Sequence, residues 1–231
     1  STGLRKLNHV VLYGLEKVSS KRATASLAIA PESRDAFGCE YVVPPIVDLP
    51  ERTEVVNRVP RAVFIGSHQG RKRGWLAEKA VAEVRRRLDR TFELWVVGPQ
   101  SDAESWAPDV RHCSGMSDED VAELISTSWL LLAPSLYEGF GIPTVEALNQ
   151  RTAVVASWNP GNRYFRNLAH PDVPLVCTAS DEDYLEAVVD RVRSGPALSD
   201  AESWAADDLV QQLKDASSTG RLLEIYGRAR R

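Results

Sequence analysis

Two short apolar runs, residues 129–134 and 152–157, bracket a glycine-rich turn and a short helical stretch. Runs this short and this continuously apolar read as strands buried on both faces, which is the mark of a parallel sheet. Parallel strands need a crossover between them, usually a helix. The intervening segment must therefore leave one strand, turn, and return as a helix. Its turn is Tyr137-Glu138-Gly139-Phe140-Gly141-Ile142-Pro143. Pro143 suits the first helical position, where its fixed φ fits and its missing N–H costs nothing. The amides of Phe140, Gly141 and Ile142 would then project from a helix N-terminus, a place that attracts anions and phosphate above all. Gly139 and Gly141 have no side chains, so a ligand can approach the backbone there.

Two carboxylates frame this turn, Glu138 before it and Glu146 on the helix. A glutamate facing a phosphate would be repelled. Beside a phosphate site, glutamates are better suited to accept hydrogen bonds from neutral hydroxyls. The combination fits a phosphate flanked by sugar rings, that is, a nucleotide sugar.

Glu138-Gly139-Phe140-Gly141 with Glu146, then Ala147-Leu148 and Val154-Val155-Ala156-Ser157, resembles the donor-site signature of retaining glycosyltransferases of the two-domain GT-B fold. The nearest likeness is to glycosyltransferase family 4, whose motif also holds two glutamates with seven residues between them. The layout matches from about Arg61 to the C-terminus. The resemblance implies a doubly wound parallel α/β sheet, Rossmann-like, forming the C-terminal half of a GT-B fold. It implies transfer of a sugar from a nucleoside diphosphate to an acceptor hydroxyl with retention of configuration. It places Glu138 on the donor sugar's hydroxyls and Glu146 on the ribose. No metal or other cofactor is expected, because this fold handles the diphosphate with cations and a helix dipole.

The resemblance also marks the loop after the strand at residues 62–66. The family carries an arginine directly after the strand's glycine, here Gly66, and a lysine before a second glycine, here Gly74. Ser67 stands in the arginine's place and Arg73 in the lysine's, with Lys72 and Arg71 adjacent. Arg73 and Lys72 are thus the expected diphosphate cations, with Arg71 able to compensate for Ser67. Without the resemblance, Arg71-Lys72-Arg73 would read as a solvated charge cluster. Gly66, Ser67, Gly139, Phe140, Gly141, Ile142 and Glu146 complete the expected donor site, and Glu138, Arg73 and Lys72 its catalytic set. His68 lies in the same loop and is a candidate contact. His112 reads as a surface histidine, with a place near the base pocket as the alternative.

The chain has 231 residues, 43% of them hydrophobic, enough for a sizeable core. A formal net charge of −4 gives no footprint for nucleic acid. No apolar run reaches the roughly 18 residues that a membrane span requires. Cys39, Cys113 and Cys177 are odd in number and widely spaced, which points to reduced thiols in the cytoplasm rather than disulfides or a metal site.

Residues 1–60 read as a remnant of an N-terminal domain and a linker, and residues 61–231 as the nucleotide-sugar domain. Residues 7–18 have helical spacing, residues 23–30 and 41–43 read as strands, and Pro45-Ile46-Val47-Asp48 resembles the family's interdomain segment. Little of an acceptor domain is recognisable, so a fragment or one subunit of a split enzyme is expected, inactive by itself. Its missing partner would be the N-terminal acceptor domain or a second subunit. Ser67 leaves a second reading open, a non-catalytic sugar-nucleotide-binding or scaffolding relative. Ser117, Ser180 and Ser199 each sit where a helix would start. Ser101-Asp102-Ala103-Glu104-Ser105-Trp106-Ala107 recurs at residues 199–205 without a fixed period, so it marks no repeat architecture.

Overall fold

A computed structural model describes residues 2–45, 49–52 and 57–229. The Pro45-to-Asp48 reading therefore lies largely outside the described residues. The chain divides into two compact units, Ser1–Val47 with Gln212–Arg231, and Asp48–Gln211.

The smaller unit holds α1 (Thr2–Arg22), β1 (Leu27–Ala28), α2 (Pro31–Phe37) and β2 (Tyr41–Val42). β1 and β2 pair in parallel. The strand read over residues 23–30 shrinks to two residues, because Pro31 opens α2 directly after it. Gly38 ends α2 at φ 71°, a left-handed position that glycine adopts without strain.

The larger unit is built on β3 (Val59–Ile65), α3 (Gly74–Leu88), β4 (Glu93–Val97), β5 (Arg111–Cys113), α4 (Asp118–Ser126), β6 (Ser128–Ala133), α5 (Ile142–Asn149), β7 (Ala153–Ser157), α6 (Pro160–Leu168), β8 (Leu175–Thr178) and α7 (Asp181–Ser194). Then α8 (Asp200–Ala216) and α9 (Thr219–Ala229) close the chain. The six strands run parallel in the order β5-β4-β3-β6-β7-β8. The chain steps outward one way from β3 and then returns to step outward the other way from β6. The β3–β6 boundary is therefore the topological switch point, where sheets of this kind bind ligands at their carboxyl ends.

Packing explains why the apolar runs are continuous. On one face, Ala62, Phe64, Leu130, Leu132 and Val155 join α3 and α7 in a single buried cluster. The alternate residues Val63, Leu131 and Val154 are equally buried, and α4 and α5 pack against β6 and β7. Both sheet faces are covered, as a parallel sheet requires.

The expected caps form. Ser117, Ser180 and Ser199 each accept a hydrogen bond from the amide three residues on. Two details differ from the sequence reading. Pro143 occupies the second helical position, because Ile142 is already helical after Gly141, which turns at φ 104°. The strand opening the larger unit starts at Val59 rather than at Ala62, since its first residues pair with Ser128 despite Pro60. Among the described residues no helix is long and apolar enough to cross a membrane.

Candidate functional site

The two loops singled out in the sequence leave the carboxyl ends of β3 and β6, the neighbouring strands at the switch point. The structure ties them together. The Leu136 amide donates to the Arg71 carbonyl at 2.9 Å. The Arg71 guanidinium donates to the Tyr137 carbonyl at 2.8 Å. Lys72 Nζ lies 2.6 Å from Glu138 Oε1, and Arg71 Nη1 lies 3.1 Å from the same oxygen. The Lys72 stem packs over Gly66, where a Cβ would sit 3.0 Å from Lys72 Cγ. The absence of a side chain at Gly66 is what lets the lysine reach across to β6.

Electrostatics follow the geometry. Burial pushes the Glu138 carboxyl up, but Lys72, helped by the Ser135 hydroxyl and Arg71, outweighs it and holds the group below the usual carboxylate range. Glu146 is in the opposite situation. Its carboxylate has no hydrogen bond or ion pair among the described residues, and burial, with repulsion from Asp118, pushes it up. The two glutamates thus differ in kind: one is held by cations, the other is a half-buried carboxylate with no such partner among the described residues.

Between them the turn presents backbone amides. Thr144 and Val145 donate to the Gly141 carbonyl, closing the first turn of α5. The amides of Phe140, Gly141 and Ile142 donate to no acceptor among the described residues. A small cavity opens here, lined by Lys72, Ser135, Glu138, Gly141, Thr144 and Asn162 among others.

Three expected site residues do not join this cluster. Ser67 turns its hydroxyl to the Gln69 carbonyl of its own loop. Arg73 is 9% exposed and runs away from Glu138 toward Pro134, Ser157 and Asp181. His68 is held edge-on to Trp106, its amide donating to Asp102 and its Nε2 3.5 Å from Glu78. His112, read as a surface residue, is half-buried on β5, and its Nε2 has no hydrogen-bond partner among the described residues.

The sequence marks Asn159-Pro160-Gly161-Asn162, after a strand's C-terminal end, as a border of the donor site, but not the helix α6 that it opens. Asn159 caps it, accepting from the Asn162 amide, and also donates to the Ser135 carbonyl at 3.0 Å. The Gly161 amide donates to the Glu138 carbonyl at 2.9 Å. A Cβ on Gly161 would run into the Phe140 carbonyl oxygen, so only glycine lets α6 press on the turn. The Asn162 side-chain oxygen is buried at the cavity without a partner. The signal was present: Asn159-Pro160 is a cap followed by a first-turn proline.

The sequence profile of the family described as "Glycosyl transferases group 1" matches residues 59–194. The chain belongs to that family. Its larger unit is the C-terminal domain of a GT-B glycosyltransferase. Over 205 residues, 80% of this chain, it is 31% identical to the MMP alpha-(1->4)-mannosyltransferase of Mycolicibacterium hassiacum. It is 30% identical over 109 residues, 42% of its length, to the O-antigen chain mannosyltransferase B of Escherichia coli. The chain spans 46% of the first of these relatives and 28% of the second. Among solved structures, Anabaena HepE in complex with UDP and glucose superposes with a TM-score of 0.70 at 14% identity, over 91% of this chain and 65% of that one. Sucrose-phosphate synthase from Thermosynechococcus elongatus superposes at 0.69 with 19% identity, over 94% of this chain and 62% of that one. At these identities the superpositions speak to fold alone. Among the described residues no group of three or more His, Cys, Asp or Glu side chains is placed to hold a metal.

Proposed function

We propose that this chain is the nucleotide-sugar-binding half of a retaining glycosyltransferase. It would carry a sugar from a nucleoside diphosphate toward an acceptor hydroxyl. The observation that supports this most is the meeting of Lys72, Arg71 and Glu138 beside the uncommitted amides of Phe140, Gly141 and Ile142. The cations and amides suit the charge that develops on a departing diphosphate. Glu138, beside them, suits the donor sugar's hydroxyls. Glu146, half-buried and with no side-chain partner among the described residues, suits ribose hydroxyls, since a partly desolvated acceptor gains from a ligand donor. The two sequence relatives above are mannosyltransferases, and HepE was solved with UDP and glucose, so mannosyl and glucosyl donors come first in a screen.

The reaction would need no metal, and it is expected to survive EDTA. Retention is tested by the anomeric configuration of the product. The acceptor must come from elsewhere, because catalysis needs the reacting atoms held about 3–3.5 Å apart and most of an acceptor domain is not recognisable here. The isolated chain is expected to bind donor but to transfer sugar poorly. Supplying the N-terminal half, or a partner subunit, should restore transfer, and we expect the assembly to work in the cytoplasm.

A thermal-shift screen with nucleoside diphosphates and their sugars, followed by turnover of each hit, tests the reading. Stabilisation with turnover by the completed protein supports it. The serine at position 67 favours a second reading, a non-catalytic relative. Stabilisation without turnover, even with the N-terminal half supplied, would favour that one.

A further inference from the structure

Arg73 occupies the position where family resemblance expects a diphosphate cation, yet its side chain runs the other way. Its Nε donates to the Pro134 carbonyl at 2.7 Å. One Nη donates to the Asp181 carboxylate at 2.6 Å and the other to the Ser157 hydroxyl at 2.7 Å. These acceptors sit just past β6, at the last residue of β7 and at the first residue of α7. Each guanidinium nitrogen is engaged, with a planar fork matched to acceptors on three elements.

The backbone explains how Lys72 and Arg73 part company. Arg73 sits at φ 55°, ψ 47°, a left-handed conformation that non-glycine residues avoid. It ends the 3-10 turn Gly70–Lys72 and starts α3. The reversal sends Lys72 toward Glu138 and Arg73 toward α7. Nor can the chain slide past this point. A Cβ on Gly74 would collide with Trp106 and with the His68 backbone. Elsewhere in the loop the side-chain ties are exposed, local or only part-buried: Arg71 to Tyr137, Ser67 to Gln69, Lys72 to Glu138 and His68 to Glu78. Among the described residues, the buried side-chain bonds of residues 67–73 are those of Arg73.

We propose that Arg73 is a positioning residue: its guanidinium pins the loop after β3 to β6, β7 and α7, and thereby holds Lys72 Nζ against Glu138 beside the turn. Its consequence for ligand binding rests on the nucleoside diphosphate reading above. A strained backbone at Arg73 persists because its three bonds, two of them buried, over-determine it. Remove them and residue 73 can relax to an ordinary conformation, which would swing Lys72 away from Glu138. A lysine at position 73 would keep the charge but could not engage three acceptors at once.

The test is a double-mutant cycle on this chain, with Lys72→Ala, Arg73→Ala and both together, read by calorimetric titration with UDP and GDP. Each single variant is expected to lose roughly tenfold or more in affinity for whichever nucleotide the wild type binds. The double variant should lose no more than Lys72→Ala does alone, because Arg73 acts through Lys72. Additive losses would mean that Arg73 meets the diphosphate itself, and would overturn the proposal. Unchanged affinity in Arg73→Ala would overturn it too. Arg73→Lys should bind as weakly as Arg73→Ala, and wild-type affinity in Arg73→Lys would mean that charge, not the fork, is what matters.

A second measurement needs no nucleotide. The Glu138 carboxyl can be titrated by NMR in wild type, Lys72→Ala, Arg73→Ala and Arg73→Lys. Its midpoint should rise in all three variants. A midpoint unmoved by either Arg73 substitution overturns the positioning role. If the wild type binds neither UDP nor GDP, the functional reading fails, and this titration still decides the role of Arg73. If Arg73→Ala does not fold, Asp181→Ala removes one tie and should raise the midpoint in the same direction. An unmoved midpoint there counts against the proposal.

Discussion

Lys72 Nζ stands 2.6 Å from Glu138 Oε1, and this one carboxylate oxygen also takes Arg71. The loop's two available cations are thus gathered by a single acid at the mouth of the proposed donor site. Neutralising that acid frees them. Glu138→Gln is expected to keep or raise affinity for UDP or GDP while cutting sugar transfer by roughly tenfold or more in the completed enzyme. Glu146→Gln should instead weaken binding of the free nucleotide. Equal affinity losses in the two variants, measured by calorimetry, would contradict these assignments.

The same pair sets a pH dependence. Glu138 is held below the usual carboxylate range in the fold. Its contribution to stability is therefore present above the unfolded value, about 4.3, and is lost as pH falls through the lower folded value. The stability difference between wild type and Glu138→Gln should be flat from neutral pH to about 5 and shrink on further acidification. Chemical denaturation across that range checks this. A difference that grows toward acid would contradict it.

Glu146 has the opposite sign. Burial and Asp118 push its carboxyl up, so its charge costs stability above the folded value and the cost fades as pH falls toward the unfolded one. Glu146→Gln should stabilise the protein at neutral pH, by up to about 1 kcal/mol, while it weakens nucleotide binding. A variant that melts lower than wild type at neutral pH would mean that Glu146 has a structural partner.

How much of this was legible in the sequence depends on whether the signal was local. The strands at 129–134 and 152–157, the serine caps and the glycine turn follow from patterns a few residues long, and they stand within a residue or two of where they were expected. The strand order, and with it the switch point, depends on pairings across the chain such as Leu132 with Phe64. Arg73 was misdirected for a similar reason. Its three acceptors lie 61, 84 and 108 residues away, and nothing near position 73 announces them. The helix α6 was overlooked although Asn159-Pro160 begins it, because Gly161 reads as a loop residue until the Phe140 carbonyl is seen against it.

Gly161 gives the sharpest structural prediction. A Cβ there would overlap the Phe140 carbonyl oxygen, so Gly161→Ala must push α6 off the turn. A cost of about 1–3 kcal/mol is expected, with loss of nucleotide binding. Gly227→Ala is the control: it lies in α9 with nothing within 4 Å of the added carbon, and it should stabilise by roughly 0.5–1 kcal/mol. Thermal unfolding of both variants checks the contrast. A neutral Gly161→Ala would mean the contact between α6 and the turn is loose.

The end of α5 offers a stability test away from the site. Arg151 follows the helix at φ 51°, and its guanidinium meets Asp207 at 2.6 Å, where Arg52 also pairs. The Asp207 side chain is 36% exposed, so solvent screens these pairs. Burial pushes the Asp207 carboxyl up, but the two arginines outweigh it and hold it low. Asp207→Ala should cost about 0.5–1 kcal/mol at neutral pH, and the difference should shrink as acid takes the pH through the lowered folded value. A cost that persists in acid would assign the effect to packing instead.

The central claim is that the loops after β3 and β6 bind a nucleoside diphosphate. Thermal unfolding of wild type and Lys72→Ala, each titrated with UDP and GDP and with their mannosyl and glucosyl derivatives, tests it most directly. One of the nucleotides should stabilise the wild type by about 2.7 kcal/mol at 100 times its dissociation constant, and Lys72→Ala should need a distinctly higher concentration for the same shift. No shift of the wild type by any of them at millimolar concentration would contradict the account.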